Sequence, residues 1–253
     1  MENNQNLLKA LIIAIAIILS AFIFKSAVKN RNANEDTISV TGLGTVDFVS
    51  DEINWSGSFN VVAPDAKTAY NTIVADKKKV RDFFISKGFK DNEFVFGGAE
   101  VNKKFRDISY ETSNGGVRYE SVFDGYLATQ TISFYSKKND ALMSKIEKVK
   151  QETAELINQE IEFTSNETQY TYSDLPSLKH NLIESATKDA RERAEKIVKN
   201  GKGSLDKLKS ASMGVFQITG RDSNEDYSYG GINDTYSKEK SARITVRLTY
   251  ILD

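Results

Sequence analysis

The 253-residue sequence contains no cysteine, one histidine and two prolines. Without cysteine there is no disulfide framework, thiolate metal site, iron–sulfur cluster or cysteine nucleophile. The single histidine, His180, excludes a multi-histidine metal centre, and no nucleophile can be paired with it from the sequence. Neither sign of charge dominates, with 34 Lys+Arg against 35 Asp+Glu, so the chain carries no basic footprint for nucleic acid. A Walker A sequence, a G-x-S-x-G elbow and an H-E-x-x-H pair are also absent. These absences remove many enzyme mechanisms and lean the reading toward a binding or assembly module.

What is present is a folded protein: 40% of residues are hydrophobic and 27% charged, enough for one large domain or two small ones. The strongest asymmetry is at the N-terminus, where Leu7 to Phe24 reads LLKALIIAIAIILSAFIF. As a helix, Ala10–Phe24 rises roughly 22 Å at about 1.5 Å per residue, short of the roughly 30 Å hydrocarbon core. Snorkelling by Lys9 and Lys25 stretches the span to Leu7–Val28. No pair of small residues at the required spacing follows the apolar run, so the segment reads as an uncleaved signal anchor in preference to a cleaved signal peptide. Residues 1–30 are the anchor, 31–36 (RNANED) a linker, and 37–253 the folded domain. Lys25, Lys29 and Arg31 after the span, taken alone, would hold that domain in the cytosol. With Glu2, Lys9 and those three residues set aside, 30 basic and 34 acidic residues remain, a mildly acidic domain.

Along the domain, Ile38–Thr45 reads as a short strand. Ile53, Trp55, Phe59 and Val61 alternate with polar residues as a half-buried strand, with Gly57 in a core slot as a candidate bulge. Pro64 opens a helix whose stripe is Ala66, Ala69, Tyr70, Ile73, Val80 and Phe84, ending at Gly88, with Asp76 on its charged face. Phe94 to Phe105 and Tyr119 to Tyr135 read as strands around an Asn114-Gly115-Gly116 turn. Lys137–Asn158 is helical, capped by Asn139 or Asp140, with Leu142, Ile146, Val149, Thr153 and Leu156 inward. Ile161–Tyr172 returns to strand. Ser177–Asn200 is the strongest helix, with Leu178, Leu182, Ala186, Ala190, Ala194 and Ile197 on one stripe. Lys207–Thr219 is a strand, 220–241 a long mobile loop, and Arg243–Leu252 a final strand. The fold class is α+β: mainly antiparallel sheet with three main helices packed on it, preceded by an N-terminal membrane helix.

Thr41-Gly42-Leu43-Gly44-Thr45-Val46-Asp47 has Asp47 where a dinucleotide loop needs its third glycine, and no helix follows, so it reads as a strand kink. Glu184, Asp189, Glu192 and Glu195 interleave with Lys188, Arg191, Arg193 and Lys196 as an ion-paired, solvated helix face. Nine tyrosines, Tyr110, Tyr119, Tyr126, Tyr135, Tyr170, Tyr172, Tyr227, Tyr229 and Tyr236, offer a carbohydrate or partner surface, although exposed strand faces use tyrosine routinely.

The chain resembles the SIMPL-domain family, formerly a bacterial group of unknown function, from Ile38 to Leu252. The resemblance rests on Ile38-Ser39-Val40-Thr41-Gly42-Leu43-Gly44 before Asp51, the Ala66–Phe84 helix ending at Gly88-Phe89, and Gly125-Tyr126-Leu127-Ala128. Ala186-x3-Ala190-x3-Ala194 before Gly201 and Leu205, and the strand Ile244–Leu252, complete it. Ser50 stands where family members often place proline, a difference that concerns a turn. The resemblance implies an extracytoplasmic bacterial domain behind a signal sequence or anchor, hence an inner-membrane, single-pass protein facing the periplasm. The resemblance also implies a link to envelope or oxidative stress, with which some relatives are associated, and ring-like or channel-like assembly, which some relatives show. The expectation is a non-enzymatic protein acting by self-association or partner binding, with the bilayer and further copies of itself as partners and no nucleic acid. The competing reading is a periplasmic small-ligand or glycan-binding module using the tyrosines and the 220–241 loop. No catalytic, cofactor-binding or metal residues are assigned, and no cofactor is expected.

Overall fold

The computed structural model describes residues 13–25, 36–111, 115–224 and 228–253. Helix α1 covers residues 13–25; its apolar side chains, among them Ile17, Phe22 and Phe24, are exposed. Among the described residues no helix is long and apolar enough to cross a membrane. Most of the anchor read at 1–30 and of the linker at 31–36 lies outside the described residues. The rest of the chain is α+β and divides into two compact units, one built from 44–185 with 215–244, the other from the chain up to Leu43 with 186–214 and 245–253. Strand β1 (Thr37–Val49), helix α4 (Leu175–Asn200) and strand β11 (Glu239–Leu252) contribute to both.

The larger unit is built on a six-stranded antiparallel sheet. Its order is β3 (Phe94–Phe96), β5 (Val117–Lys137), β2 (Glu52–Ala63) and β6 (Glu162–Ser165), with β4 (Glu100–Glu111) on β5 and β7 (Gln169–Thr171) on β2. β2 alternates as its sequence predicts, burying Ile53, Trp55, Gly57 and Phe59. Pairing with β5 runs unbroken past Gly57, so the glycine is not a bulge. It is needed because a Cβ there would lie 2.1 Å from the Phe163 ring. Helix α2 (Ala66–Ser86) is capped by Asp65, whose carboxylate accepts the Thr68 N–H at 2.9 Å. Its buried stripe is Ala69, Ile73, Asp76, Val80, Phe83 and Phe84. Tyr70 points outward, and Asp76, read as solvated, is buried with Lys79 at 3.1 Å.

Helix α3 (Asp140–Glu152) starts at Asn139, which accepts the Leu142 N–H at 3.1 Å. The helix read to Asn158 changes to a 3-10 turn at Thr153–Gln159 and stops at Glu160, which has a φ of 62°. Ile146, Val149 and Leu156 face the core, and Met143 replaces Leu142 as the inward residue of the first turn. α2 and α3 cover β2 and β5. Trp55 stacks on Phe134 at 5.0 Å, and Phe84 meets the same ring at 4.8 Å. The indole N–H donates to Ser165 Oγ at 3.1 Å.

Residues 220–241, read as one mobile loop, are more ordered in their described part. β10 (Ile232–Asn233) runs parallel to β9 (Gln217–Gly220), and β11 starts at Glu239, four residues before the predicted strand. The Asp234 carboxylate accepts the Tyr236 and Ser237 N–H groups at 2.7 and 3.2 Å, the Asx-turn geometry that lets a polar segment settle without apolar residues. The predicted strand at 207–219 is two, β8 (Leu205–Met213) and β9, separated at Gly214.

In the smaller unit, β8 pairs antiparallel with the C-terminal half of β11. The Leu252 N–H donates to the Asp36 carbonyl at 2.8 Å and the Ser39 and Thr249 hydroxyls lie 2.8 Å apart, so β1 runs antiparallel on the other side of β11. Ala186, Ala190 and Ala194 of α4 are fully buried here. The stripe ends at Val198 rather than the predicted Ile197, which is 55% exposed, because a four-residue step holds throughout. Gly42 explains the alanines. A Cβ on it would lie 2.2 Å from the Ala186 carbonyl oxygen and 2.4 Å from the Ala190 nitrogen, so strand and helix backbones touch only with small residues on both sides. The alanine ladder is therefore committed inside the chain's own fold and is not free to contact another copy.

That fit is rigid backbone against backbone. Gly42→Ala should lower the unfolding free energy by about 2 kcal/mol, and Ala190→Glu by more, read as a lower urea midpoint at unchanged slope.

Candidate functional site

A small hollow of the larger unit lies where β1, β7, the start of α4, β9 and β11 converge. It is a cavity of about 30 Å³, lined chiefly by Phe48, Tyr170, Tyr172, Ile218, Asp234 and Lys240. Each wall follows from local sequence. Phe48 and Lys240 are on inward positions of their strands, and Tyr172 meets the Phe48 ring edge-on at 5.0 Å. The Tyr170 N–H donates to the Thr235 carbonyl at 2.7 Å, joining β7 to the 234–238 turn.

Lys240 is the unusual group. Its side chain is among the largest fully buried ones in the chain, and its ammonium donates to the Asp234 carbonyl. Burial pulls its pKa below the ordinary lysine value, against the opposing attraction of the Asp234 charge. For Asp234, burial works against ionisation, but the Ser237 hydroxyl, the two turn amides and the Lys240 charge outweigh it and hold the carboxyl below its usual range. Tyr170 is pushed up to about 12, first by burial and then by Glu147, whose carboxylate accepts its hydroxyl at 3.1 Å. Lys238 reaches the same carboxylate at 2.9 Å.

A desolvated lysine is the kind of amine that attacks carbonyl substrates. Here the space beside it holds about one water molecule, and one of its three N–H donors is already engaged by a main-chain carbonyl. The arrangement suits a structural role, in which the cation fastens the Asp234 turn onto the sheet. Nothing in the local sequence around Lys240 singles it out. Its parity does, since Lys240, Ala242, Ile244, Val246 and Leu248 alternate along β11 and the latter four are core residues.

Two open grooves also mark the larger unit. One, of about 400 Å³, lies on the polar face of β2 and is lined by Asn54, Ser56, Asn166, Glu167, Gln169 and Tyr236; Asn166 Nδ2 donates to Ser56 Oγ at 3.0 Å. The other, of about 430 Å³, contains Lys87, Gly88, Lys145 and Glu152. Two of its cations are already engaged, Lys87 with Glu152 and Glu155 at 3.0 and 2.7 Å and Lys145 with Glu93 at 3.1 Å. Among the described residues no cluster of three or more His, Asp or Glu side chains is arranged to hold a metal.

The residues weighed from the sequence do not converge. His180 is exposed on α4. On the acidic ladder, Arg191 pairs with Glu195 at 2.8 Å and Arg193 with Asp189 at 2.9 Å, as expected of a solvated face. Asp189 does more, because its carboxylate also accepts the Leu43 N–H at 2.9 Å, the chief reason its pKa is lowered. The Gly42–Gly44 stretch lies within continuous strand β1 and makes no phosphate loop. Tyr170 and Tyr172 meet at the cavity, Tyr236 is at the groove, Tyr126 packs against the core, Tyr110 and Tyr119 are exposed on the paired strands β4 and β5, Tyr135 and Tyr229 are exposed elsewhere, and Tyr227 lies outside the described residues. Asp51 anchors the β1–β2 connection by accepting the Ser173 N–H and hydroxyl at 2.7 and 2.6 Å. Ser50 before it donates its N–H to the Lys238 carbonyl at 2.9 Å, a bond proline would lack.

The family profile described as SIMPL, a protein of unknown function (DUF541), matches residues 38–250. The chain belongs to the SIMPL family. No curated protein matches it.

Tyr170 supplies a pH signature. With a native pKa of about 12 against an ordinary 10.0, the folded state holds its proton more tightly, so the stabilisation is complete below about pH 10 and is lost between about pH 10 and 12. Tyr170→Phe should flatten that alkaline decline in melting temperature and cost about 1–2 kcal/mol at neutral pH through the lost bond to Glu147.

Proposed function

We propose that this SIMPL protein is a non-enzymatic, membrane-anchored component of the bacterial envelope, working by association with further copies of itself or with a partner protein. The observation that carries the reading is apolar surface left uncovered: the side chains of α1 along its length and six large hydrophobic residues on the distal β4–β5 ribbon, among them Phe105 at 54% and Tyr119 at 74% exposure. Uncovered surface of this kind marks a membrane or protein contact. The cavity beside Lys240 is too small to admit a substrate, which supports binding rather than catalysis. The anchor reading puts α1 in the inner membrane and the domain in the periplasm.

The polar groove on β2 favours a second reading, a small-glycan site. Asn54, Asn166, Glu167 and Gln169 supply paired donors and acceptors for sugar hydroxyls, and Tyr236 supplies a ring face.

Alkaline phosphatase fused after Asp36 should be active in a bacterial host, and an inactive fusion would reverse the orientation. Full-length protein should stay in the membrane pellet after a carbonate wash, and protein lacking residues 1–36 should be released. For the second reading, the disaccharide of N-acetylglucosamine should produce saturable heat in calorimetric titration that Tyr236→Ala removes; the absence of heat at millimolar sugar would discard it.

A further inference from the structure

The ribbon formed by β4 and β5 has an unusual environment. The last β2 partner of β5 is Tyr126, opposite Ala63. Beyond it the two strands pair only with each other among the described residues, as far as Glu111 opposite Val117. A register shift between Lys103 and Phe105 and a φ of 105° at Gly125 mark the point of departure. A two-stranded ribbon without a covering layer is marginal in water, yet this one carries Phe105, Ile108, Tyr110, Val117, Tyr119 and Phe123 at 36% to 74% exposure.

Cross-strand partners project on the same face, so the register sorts the side chains. One face holds the Phe105 and Phe123 rings, 6.0 Å apart, with Tyr119, Asp107 and Glu111. It is aromatic and acidic, with no basic residue between Phe105 and Phe123. The other face holds Ile108 and Tyr110 among three basic residues, Lys104, Arg106 and Arg118, and two acidic ones, Glu120 and Asp124. Lys104 and Arg106 share Asp124 at 3.7 and 3.3 Å, and Tyr110 donates to Glu120 at 3.2 Å. The two faces thus differ in sign, while the arm from Lys103 to Asp124 is neutral, with four basic and four acidic residues.

We propose that the ribbon is the self-association element, laying the acidic aromatic face of one copy on the basic face of the ribbon of the next. This rests on the self-association reading above and specifies its surface. A neutral arm with one face of each sign suits another copy of itself better than a strongly charged partner. Like-face pairing would place four carboxylates together, whereas unlike faces set Asp107 and Glu111 against Arg106 and Arg118. Such a contact is heterologous, so each copy offers both halves and assembly continues into a ring or chain. The Phe105, Tyr119 and Phe123 rings of one face and the Tyr110 ring of the other together leave roughly 400 Å² uncovered, which is the ring area that one contact between unlike faces buries; the flanking aliphatic and charged surface of both ribbons supplies the rest of the roughly 1,000 Å² of a specific interface.

The test is the mass of the full-length chain in detergent, by light scattering at micromolar concentration. Wild type should exceed one copy. D107K/E111K gives a ribbon basic on both faces and R106E/R118E one acidic on both, so each alone should fall to single-copy mass with the Trp55 emission and melting temperature of wild type. An equimolar mixture should regain multi-copy mass, because each variant then meets the opposite sign. Monomeric wild type would overturn both the inference and the self-association reading. Variants that stay assembled, or a mixture that stays monomeric, would overturn the ribbon contact and leave self-association through another surface standing.

Discussion

The contact between Trp55 and Phe134, with Phe84 closing on the same ring from α2, is the constraint on which the larger unit depends. Side chains alternate across a strand, so a slip of one residue between β2 and β5 would turn Ile53, Trp55 and Phe59 out to solvent and bring Asn54, Ser56 and Ser58 in. The aromatic cluster therefore sets the register of twelve consecutive pairs, from Glu52–Lys137 to Ala63–Tyr126. It also sets the polar face opposite, where the Asn54 and Ser56 groove lies, and the line along which β5 runs on past the last pair. Core, groove and ribbon are three consequences of one alignment.

The two units solve close packing differently. In the larger one, bulky rings fill the space between sheet and helices, and at Gly57 the Phe163 ring takes the place of a side chain. In the smaller one, alanine and glycine bring the backbones of α4 and β1 together, and the Leu43 N–H reaches the Asp189 carboxylate on the helix. A strand amide satisfied by a helix side chain fixes the helix along the strand as well as against it. Small-residue patterns of this kind invite a reading as binding loops or oligomer contacts; here Gly42 and Ala190 account for each other.

Much of the fold is legible from periodicity. The alternation of β2, the stripes of α2 and α4, the Asn139 cap and the final strand are strong because each is long and faces a single layer. Short-range competition accounts for most of the differences. Tyr70 and Asp76 exchange places because a 21-residue helix covers different neighbours along its length. Residues 220–241 lack the aliphatic content from which a strand is read, yet the Asp234 turn and the Lys240 ammonium supply polar fastening in its place. Lys240 escapes notice because a lysine in a turn-rich stretch reads as solvated, although parity with Ala242 and Ile244 puts it inside. The ribbon is the other kind of case. Tyr119–Tyr135 reads as one strand throughout, and only the pairing reveals that its first part has a single neighbour. The SIMPL resemblance, carried by Gly42, Gly88 and the alanine ladder, is visible for the same reason that it identifies no chemistry: those residues make the fold.

The way the ribbon leaves the sheet has a consequence for how the family can vary. Its direction is set at one place, by the register shift after Lys103 and the positive φ of Gly125 within β5, where the Phe123 ring meets Tyr126 at the edge of the core at 5.5 Å. Adding two residues to each strand would lengthen the ribbon by about 7 Å and return every side chain to its original face, whereas adding one would exchange the faces. Reach can thus change in even steps while the folded body stays the same, so relatives of different size or spacing can arise by paired insertions at the base of the ribbon alone.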